Sequence, residues 1–190
     1  MTWATRRIWL GVAGLVSACY GSLQPLPEST PPLVLPGLIG RWALVVNPDE
    51  REIRGPVVVT ADGNARYRIS VPGNEDTLEL AAHLSRVGSD TLADLSIAVD
   101  EHNKGWLVTV HRFQRLRLSG DTLWESSLDS DSLKAFLERE PGGVPHVSLN
   151  EQDLDVLLTA EPEAVERFLA GYLHRPGVFQ KPAVYVRVPR

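Results

Sequence analysis

Ala65, Tyr67, Ile69 and Val71 alternate with Asn64, Arg66, Arg68 and Ser70, and Pro72-Gly73-Asn74 ends the run. A period of two puts every apolar side chain on one face of an extended strand, so this stretch predicts a half-buried β-strand. The pattern recurs on both sides of it. Arg41 to Asn47 alternates Trp42, Leu44 and Val46, and Val57 to Thr60 is a β-branched run ended by Asp62-Gly63, a hairpin turn signal. Leu78, Leu80, Ala82 and Leu84 precede Gly88-Ser89-Asp90, and Leu92 to Val99 carries Ala93, Leu95, Ile97 and Val99 on one face. A polar turn at Asp100 to Gly105 leads to Trp106 to Phe113; Arg115 to Ser119 continues that strand or starts a new one, and past Gly120-Asp121 comes Thr122 to Ser126. About eight strands with short links make sequence neighbours antiparallel. A twisted meander hides its edges best by closing, which predicts a barrel or a strongly curved sheet.

The period then changes. Asp129 or Asp131 can cap a helix running to about Arg139, with Leu133, Phe136 and Leu137 on one side. Pro141-Gly142-Gly143 stops it, and Val144 to Leu149 and Leu154 to Leu158 are short strand candidates. Pro162 suits the first turn of a second helix, in which Val165, Phe168, Leu169, Tyr172 and Leu173 make an apolar stripe. Val184, Val186 and Val188 alternate and predict an added edge strand. The expected fold class is mainly β (α+β): an antiparallel meander with two accessory helices near the C-terminus.

The N-terminus follows a different logic. Arg6 and Arg7 precede the apolar run Ile8 to Val16, within the length of a secretion signal. Spanning a bilayer takes about 20 apolar residues, and this run meets Tyr20, Gly21, Ser22 and then prolines. Tyr20 to Pro36 holds Pro25, Pro27, Pro31, Pro32 and Pro36 with Glu28 as its one charge, which predicts an extended tether. At about 3.1 Å per residue it could reach roughly 50 Å. The expected organisation is residues 1–18 as signal, 19–36 as modified N-terminus and tether, and 37–190 as the folded domain.

Val16-Ser17-Ala18-Cys19 resembles the lipobox of bacterial lipoproteins: an aliphatic residue, two small residues that fit a peptidase cleft, then a cysteine whose thiol takes up a diacylglyceryl group. The resemblance implies cleavage between Ala18 and Cys19, with Cys19 carrying acyl chains of the palmitate type and serving as the membrane anchor. Two or more chains hold a protein stably where one binds only marginally. An aspartate after the lipidated cysteine retains such proteins in the inner membrane. Tyr20 stands there, so in a two-membrane host the resemblance implies the outer membrane, facing the periplasm. The stretch Val108 through Leu137 is also similar to a group of uncharacterised bacterial lipoproteins, which implies no activity.

Removing 18 of the 190 residues leaves 172, one domain's length. The loss of two arginines leaves 17 basic against 24 acidic residues, a net charge of −7. That balance gives no clustered basic surface for nucleic acid. Cys19 is the one cysteine, so no intramolecular disulfide can form and stability must come from the core.

Gly40-Arg41-Trp42, entering the first strand, resembles the Gly-X-Trp motif of lipocalins. The resemblance implies a lipocalin-like barrel whose base is closed by Trp42. The family's aspartate-containing second motif and its terminal arginine motif are not recognisable in the sequence. Trp42, Trp106 and Trp124 are the candidate ligand-contacting residues if the interior carries a small apolar ligand; the plainer reading is that they fill a core.

No catalytic set is recognisable. There is no Gly-X-Ser-X-Gly elbow, His-Glu-X-X-His pattern, cysteine metal pair or phosphate-cradling glycine loop. His83, His102, His111, His146 and His174 are scattered. His111 with Arg112, Arg115 and Arg117 suggests either a small anion site or a solvated strand edge. Asp129 and Asp131 with Glu125 suggest either calcium or a helix cap, and the cap needs no further ligands. Asp153 and Asp155 read as solvent-exposed. The expectation is an envelope protein without cofactor or metal, held at a membrane through Cys19 and acting by binding or scaffolding. A carrier of a small apolar ligand and an envelope enzyme without a recognisable motif are the alternatives.

Overall fold

A computed structural model describes residues 20–29, 31–45, 55–73, 76–98, 108–140, 142–151 and 154–189. The signal, the lipobox with Ala18 and Cys19, and Trp106 lie outside them. No helix among the described residues is long and apolar enough to cross a membrane.

The strands, in chain order, are β1 (Tyr20–Ser22), β2 (Gly40–Leu44), β3 (Val57–Ala61), β4 (Arg66–Pro72), β5 (Thr77–Val87), β6 (Asp90–Ile97), β7 (Arg112–Ser119), β8 (Thr122–Ser127), β9 (His146–Glu151), β10 (Leu154–Leu158) and β11 (Ala183–Arg187). The helices are α1 (Ser130–Arg139) and α2 (Pro162–Tyr172). Eight strands close into a barrel in the order β11-β2-β3-β4-β5-β6-β7-β8. Every neighbouring pair in it is antiparallel.

The expected meander is therefore present, with one substitution in its membership. Arg115 to Ser119 continues the preceding strand rather than starting a new one: among the described residues Arg112 to Ser119 is a single strand, preceded by an isolated bridge from His111 to Ser22. The eighth wall is the C-terminal strand. β11 is no edge: it pairs with β8 on one side and β2 on the other and closes the ring. Its inward residue is Tyr185, and Val186 faces out. Closure satisfies the backbone groups that β2 and β8 would otherwise leave open.

The two helices form where the sequence places them. Asp129 caps α1 by accepting the Ser132 N–H at 2.8 Å, and Pro162 opens α2. Leu133, Leu137, Val165, Leu169 and Tyr172 are buried on their inner faces. With β1, β10 and the outer faces of β6 and β7, they enclose an apolar core outside the barrel that includes Leu92 and Phe113. A second apolar cluster, containing Trp42, Ile69, Leu84 and Leu95, fills the barrel itself.

The predicted tether is part of the folded body. β1 pairs in parallel with β10 and completes a three-stranded sheet, β1-β10-β9. Tyr20 and Leu26 are fully buried in the outer core. From there the chain runs over the barrel wall as a strap. Leu23 N–H donates to Leu158 O at 2.9 Å, and Ser85 Oγ to Pro27 O at 2.8 Å. Arg66 pairs with Glu28 at 2.6 Å, and Leu35 N–H donates to Tyr67 Oη at 2.8 Å. Prolines keep this segment extended, as composition predicts. Buried Tyr20 and Leu26 make it a strap rather than a spacer, because their apolar burial favours docking over solvation.

Candidate functional site

The barrel interior is a candidate site. Trp42, buried on β2, lines it, and its Nε1 donates to Leu38 O at 2.8 Å. Arg187 of β11 lies over the indole, its guanidinium carbon 4.4 Å from the ring centre. The same guanidinium donates to Ile39 O at 3.0 Å, to Gly37 O and to Asp121 Oδ1 at 2.9 Å. Gly40 is required here: its φ is +150°, and a Cβ would run into the Arg187 guanidinium. No sequence motif marks Arg187; the pairing of β11 with β2, which sets Arg187 opposite Trp42, brings it to the indole by register alone.

The residues that line the cavity are apolar except for Gln114, Glu125 and Tyr185. Glu125 on β8 is 4% exposed. Its Oε2 accepts from Tyr185 Oη at 3.0 Å, and its Oε1 has no hydrogen-bond partner among the described residues. Burial pushes the Glu125 carboxyl up to about 7, and the bond from Tyr185 offsets part of that rise. Burial, then the adjacent carboxylate, raises the Tyr185 phenol far above its ordinary range. The cavity beside these groups is about 40 Å³. That is room for roughly three waters, against the several hundred Å³ of an ordinary ligand pocket.

The predicted site residues separate here. Trp42 lines the cavity, but Trp124 does not: Leu123 and Glu125 on either side of it point inward. Period two sends Trp124 out of the barrel, where Arg117 sits 5.8 Å from its ring. Glu125 was grouped with Asp129 and Asp131 as a calcium candidate. Instead it faces the interior while Asp129 caps α1, so the three do not share a site. No group of three metal-ligating side chains occurs among the described residues.

On the outer wall the structure assembles a cluster whose members are far apart in sequence. Asp94 on β6 is 1% exposed. Its Oδ1 is 2.7 Å from His111 Nδ1, and its Oδ2 accepts the Leu26 N–H at 2.6 Å and lies 3.8 Å from His83 Nε2. His83 Nε2 also meets Leu26 O at 3.0 Å. A carboxylate and a carbonyl only accept, so the proton sits on Nδ1 of His111 and on Nε2 of His83. Ser22 and His111 exchange both backbone hydrogen bonds, at 2.9 and 2.8 Å. Two of the five scattered histidines thus converge, and they hold the strap.

Of the predicted basic group, His111, Arg115 and Arg117 turn to separate partners. Arg115 lies 3.8 Å from the Phe179 ring centre and 3.9 Å from Asp90 Oδ1, while His111 faces Asp94. Sequence reasoning missed Asp94 and the inward role of Glu125. The available signal was a carboxylate inside a strand among apolar neighbours, Leu92-Ala93-Asp94-Leu95 and Leu123-Trp124-Glu125. Compared with protein-family models, curated proteins and solved structures, the chain matches none of them.

Proposed function

We propose that this chain is a lipid-anchored protein of the cell envelope, held by acyl chains on Cys19 at the outer membrane and facing the periplasm, whose barrel acts as a non-catalytic binding or scaffolding module. The observation that carries this reading is the ordered signal: Arg6-Arg7, a short apolar run, then Val16-Ser17-Ala18-Cys19. The fold adds support of a different kind. Tyr20, directly after the anchor residue, is buried in the body, so acyl chains on Cys19 would hold the barrel close against the bilayer rather than at the end of a spacer. The Asp94 cluster, the one place where histidines converge among the described residues, spends both carboxylate oxygens on the strap and on His111, which favours a structural role.

Growing cells on radiolabelled fatty acid and comparing the wild-type chain with Cys19→Ala tests the anchor. The expected result is label in the wild-type protein and none in the variant, which stays at the length of the uncleaved precursor. Equal labelling of both, or a mature wild-type N-terminus other than Cys19, would overturn the proposal.

A lipocalin-like carrier is the second reading. The stacking of Arg187 on Trp42 and the polar groups beside the cavity favour it. With about 40 Å³ open, the interior as it stands suits a very small cargo.

A further inference from the structure

We propose that the outer face of β8 and β11, flanked by Arg117 of β7 and Arg41 of β2, lies on a bilayer surface that carries anionic phospholipid. This rests on the membrane-anchored reading of the chain and names the face turned to the membrane and the lipid it meets.

Strand register builds the face. Arg117 pairs with Trp124, Trp124 with Val184, and Val186 stands between Thr122 and Ala43. Partners across a ladder point to the same side, and here that side is the outside of the barrel. Arg41, two residues before Ala43 on β2, shares it. The crest of the face is therefore Thr122, Trp124, Val184 and Val186, without a charge, and an arginine stands on each shoulder. Val186 is 39% exposed, and Val45, whose N–H donates to Val184 O at 2.8 Å, is 42% exposed.

Charge sets these two arginines apart. Elsewhere on the barrel arginines meet acids: Arg66 with Glu28, Arg68 with Asp62, Arg115 with Asp90 and Arg187 with Asp121. Arg41 and Arg117 are exposed and have no acidic partner among the described residues; Arg117 lies over the Trp124 ring instead. The chain as a whole has a net charge of −5. A cationic, tryptophan-bearing apolar face on an acidic protein is complementary to phosphate headgroups above hydrocarbon. An indole sits well at headgroup level, and an arginine reaches phosphate while its stem covers apolar surface.

The course of the chain favours a bilayer over a protein as the occupant. The described body begins at Tyr20, whose hydroxyl bonds the backbone of Phe113 on β7, the strand beside β8. Acyl chains on Cys19 would start beside the wall that adjoins this face.

Cys19 is the one cysteine, and residues 19–190 include every described strand and helix. That chain can be coupled through its thiol to a maleimide-bearing lipid, whether or not a cell acylates it. The vesicles are brominated phosphatidylcholine with or without phosphatidylglycerol, and the measurement is quenching of tryptophan fluorescence. The expected result is quenching that grows with phosphatidylglycerol, weakens in salt and is largely lost in Trp124→Phe. Arg41→Gln and Arg117→Gln should each lower the ratio of docked to undocked protein about fivefold. Quenching that Trp124→Phe leaves unchanged, that is equal without phosphatidylglycerol, or that ignores both arginine variants overturns the proposal. So does sedimentation that finds the uncoupled chain dimeric and Trp124→Glu monomeric, which assigns the face to a second copy. Should Trp124→Phe fail to fold, the two exposed arginines decide. Fatty-acid labelling asks whether a cell acylates Cys19, whereas here the tether is supplied chemically, so either result can fail without the other.

Discussion

The molecule has two apolar cores that share a wall, and they are finished differently. The outer core lies between the outer faces of β6 and β7 and the layer made by β1, β10, α1 and α2. Its one deeply placed tyrosine on the wall side, Tyr20, both donates to Phe113 O and accepts the Phe113 N–H at 2.9 Å. The barrel core has a cavity and a half-satisfied acid. Each core holds a buried oxygen without a hydrogen-bond partner among the described residues, Tyr172 Oη in the outer core and Glu125 Oε1 in the barrel. What distinguishes the barrel is a buried carboxyl and the open volume of about 40 Å³ near it.

The sharpest way to break this comparison is the same truncation in each core. Leu169→Ala in the outer core should cost toward the top of the range of about 2–5 kcal/mol, because Leu169 is fully buried among apolar neighbours. Leu95→Ala in the barrel should fall toward the bottom of that range, since the new space joins a cavity that has polar groups. Urea unfolding of both variants checks it. Equal losses would mean that the two cores are finished alike.

The next effect is the acid itself. Its folded value of about 7 exceeds its ordinary 4.5, so between those values the native state holds a proton that the unfolded chain has released. Stability from this group is full below pH 4.5 and is lost as the pH rises toward 7, by about 3 kcal/mol. Relative to Glu125→Gln, the wild type should lose that amount across the window, as measured by unfolding at a series of pH values. Parallel profiles would show that the carboxyl is not held in a desolvated interior.

The strap gives a smaller effect. Asp94→Ala removes the acceptor for Leu26 N–H and His111 Nδ1 and should cost about 1–3 kcal/mol. Hydrogen exchange should quicken at Leu26 before it quickens in the barrel strands; uniform acceleration would count against a separately latched strap. Least of all, Ala93→Val, beside the cavity, should change stability by less than about 1 kcal/mol, whereas Ala160→Val in the outer core should cost about 1–3 kcal/mol. Thermal unfolding of the two variants measures the difference in free space directly.

The two cores also explain which strands could be read in advance. β4 has one face buried and one exposed, so Tyr67, Ile69 and Val71 alternate cleanly with arginines and serine. β6 has the barrel on one face and the outer core on the other, and Leu92 to Leu95 are all buried. Alternation blurs there because both faces need apolar residues. Asp94 was lost in that blur, although its burial between strap and wall is what makes it informative. Glu125 was misread for a related reason: in sequence it lies near Asp129 and Asp131, but a strand side chain and a helix cap on opposite sides of one wall do not meet.

The sequence alone determined the β meander, its turns, and the two helices with the Asp129 cap of the first and Pro162 opening the second, because each depends on residues within one or two turns of chain. Tertiary structure alone decided that the last strand closes the barrel, that Arg187 finds Trp42, that the proline-rich segment is a strap, and that Glu125 is buried inside the barrel against Tyr185. Those outcomes join positions as much as 150 residues apart, from Gly37 to Arg187. Periodicity records which face of an element is apolar, but only the packed molecule settles what that face meets.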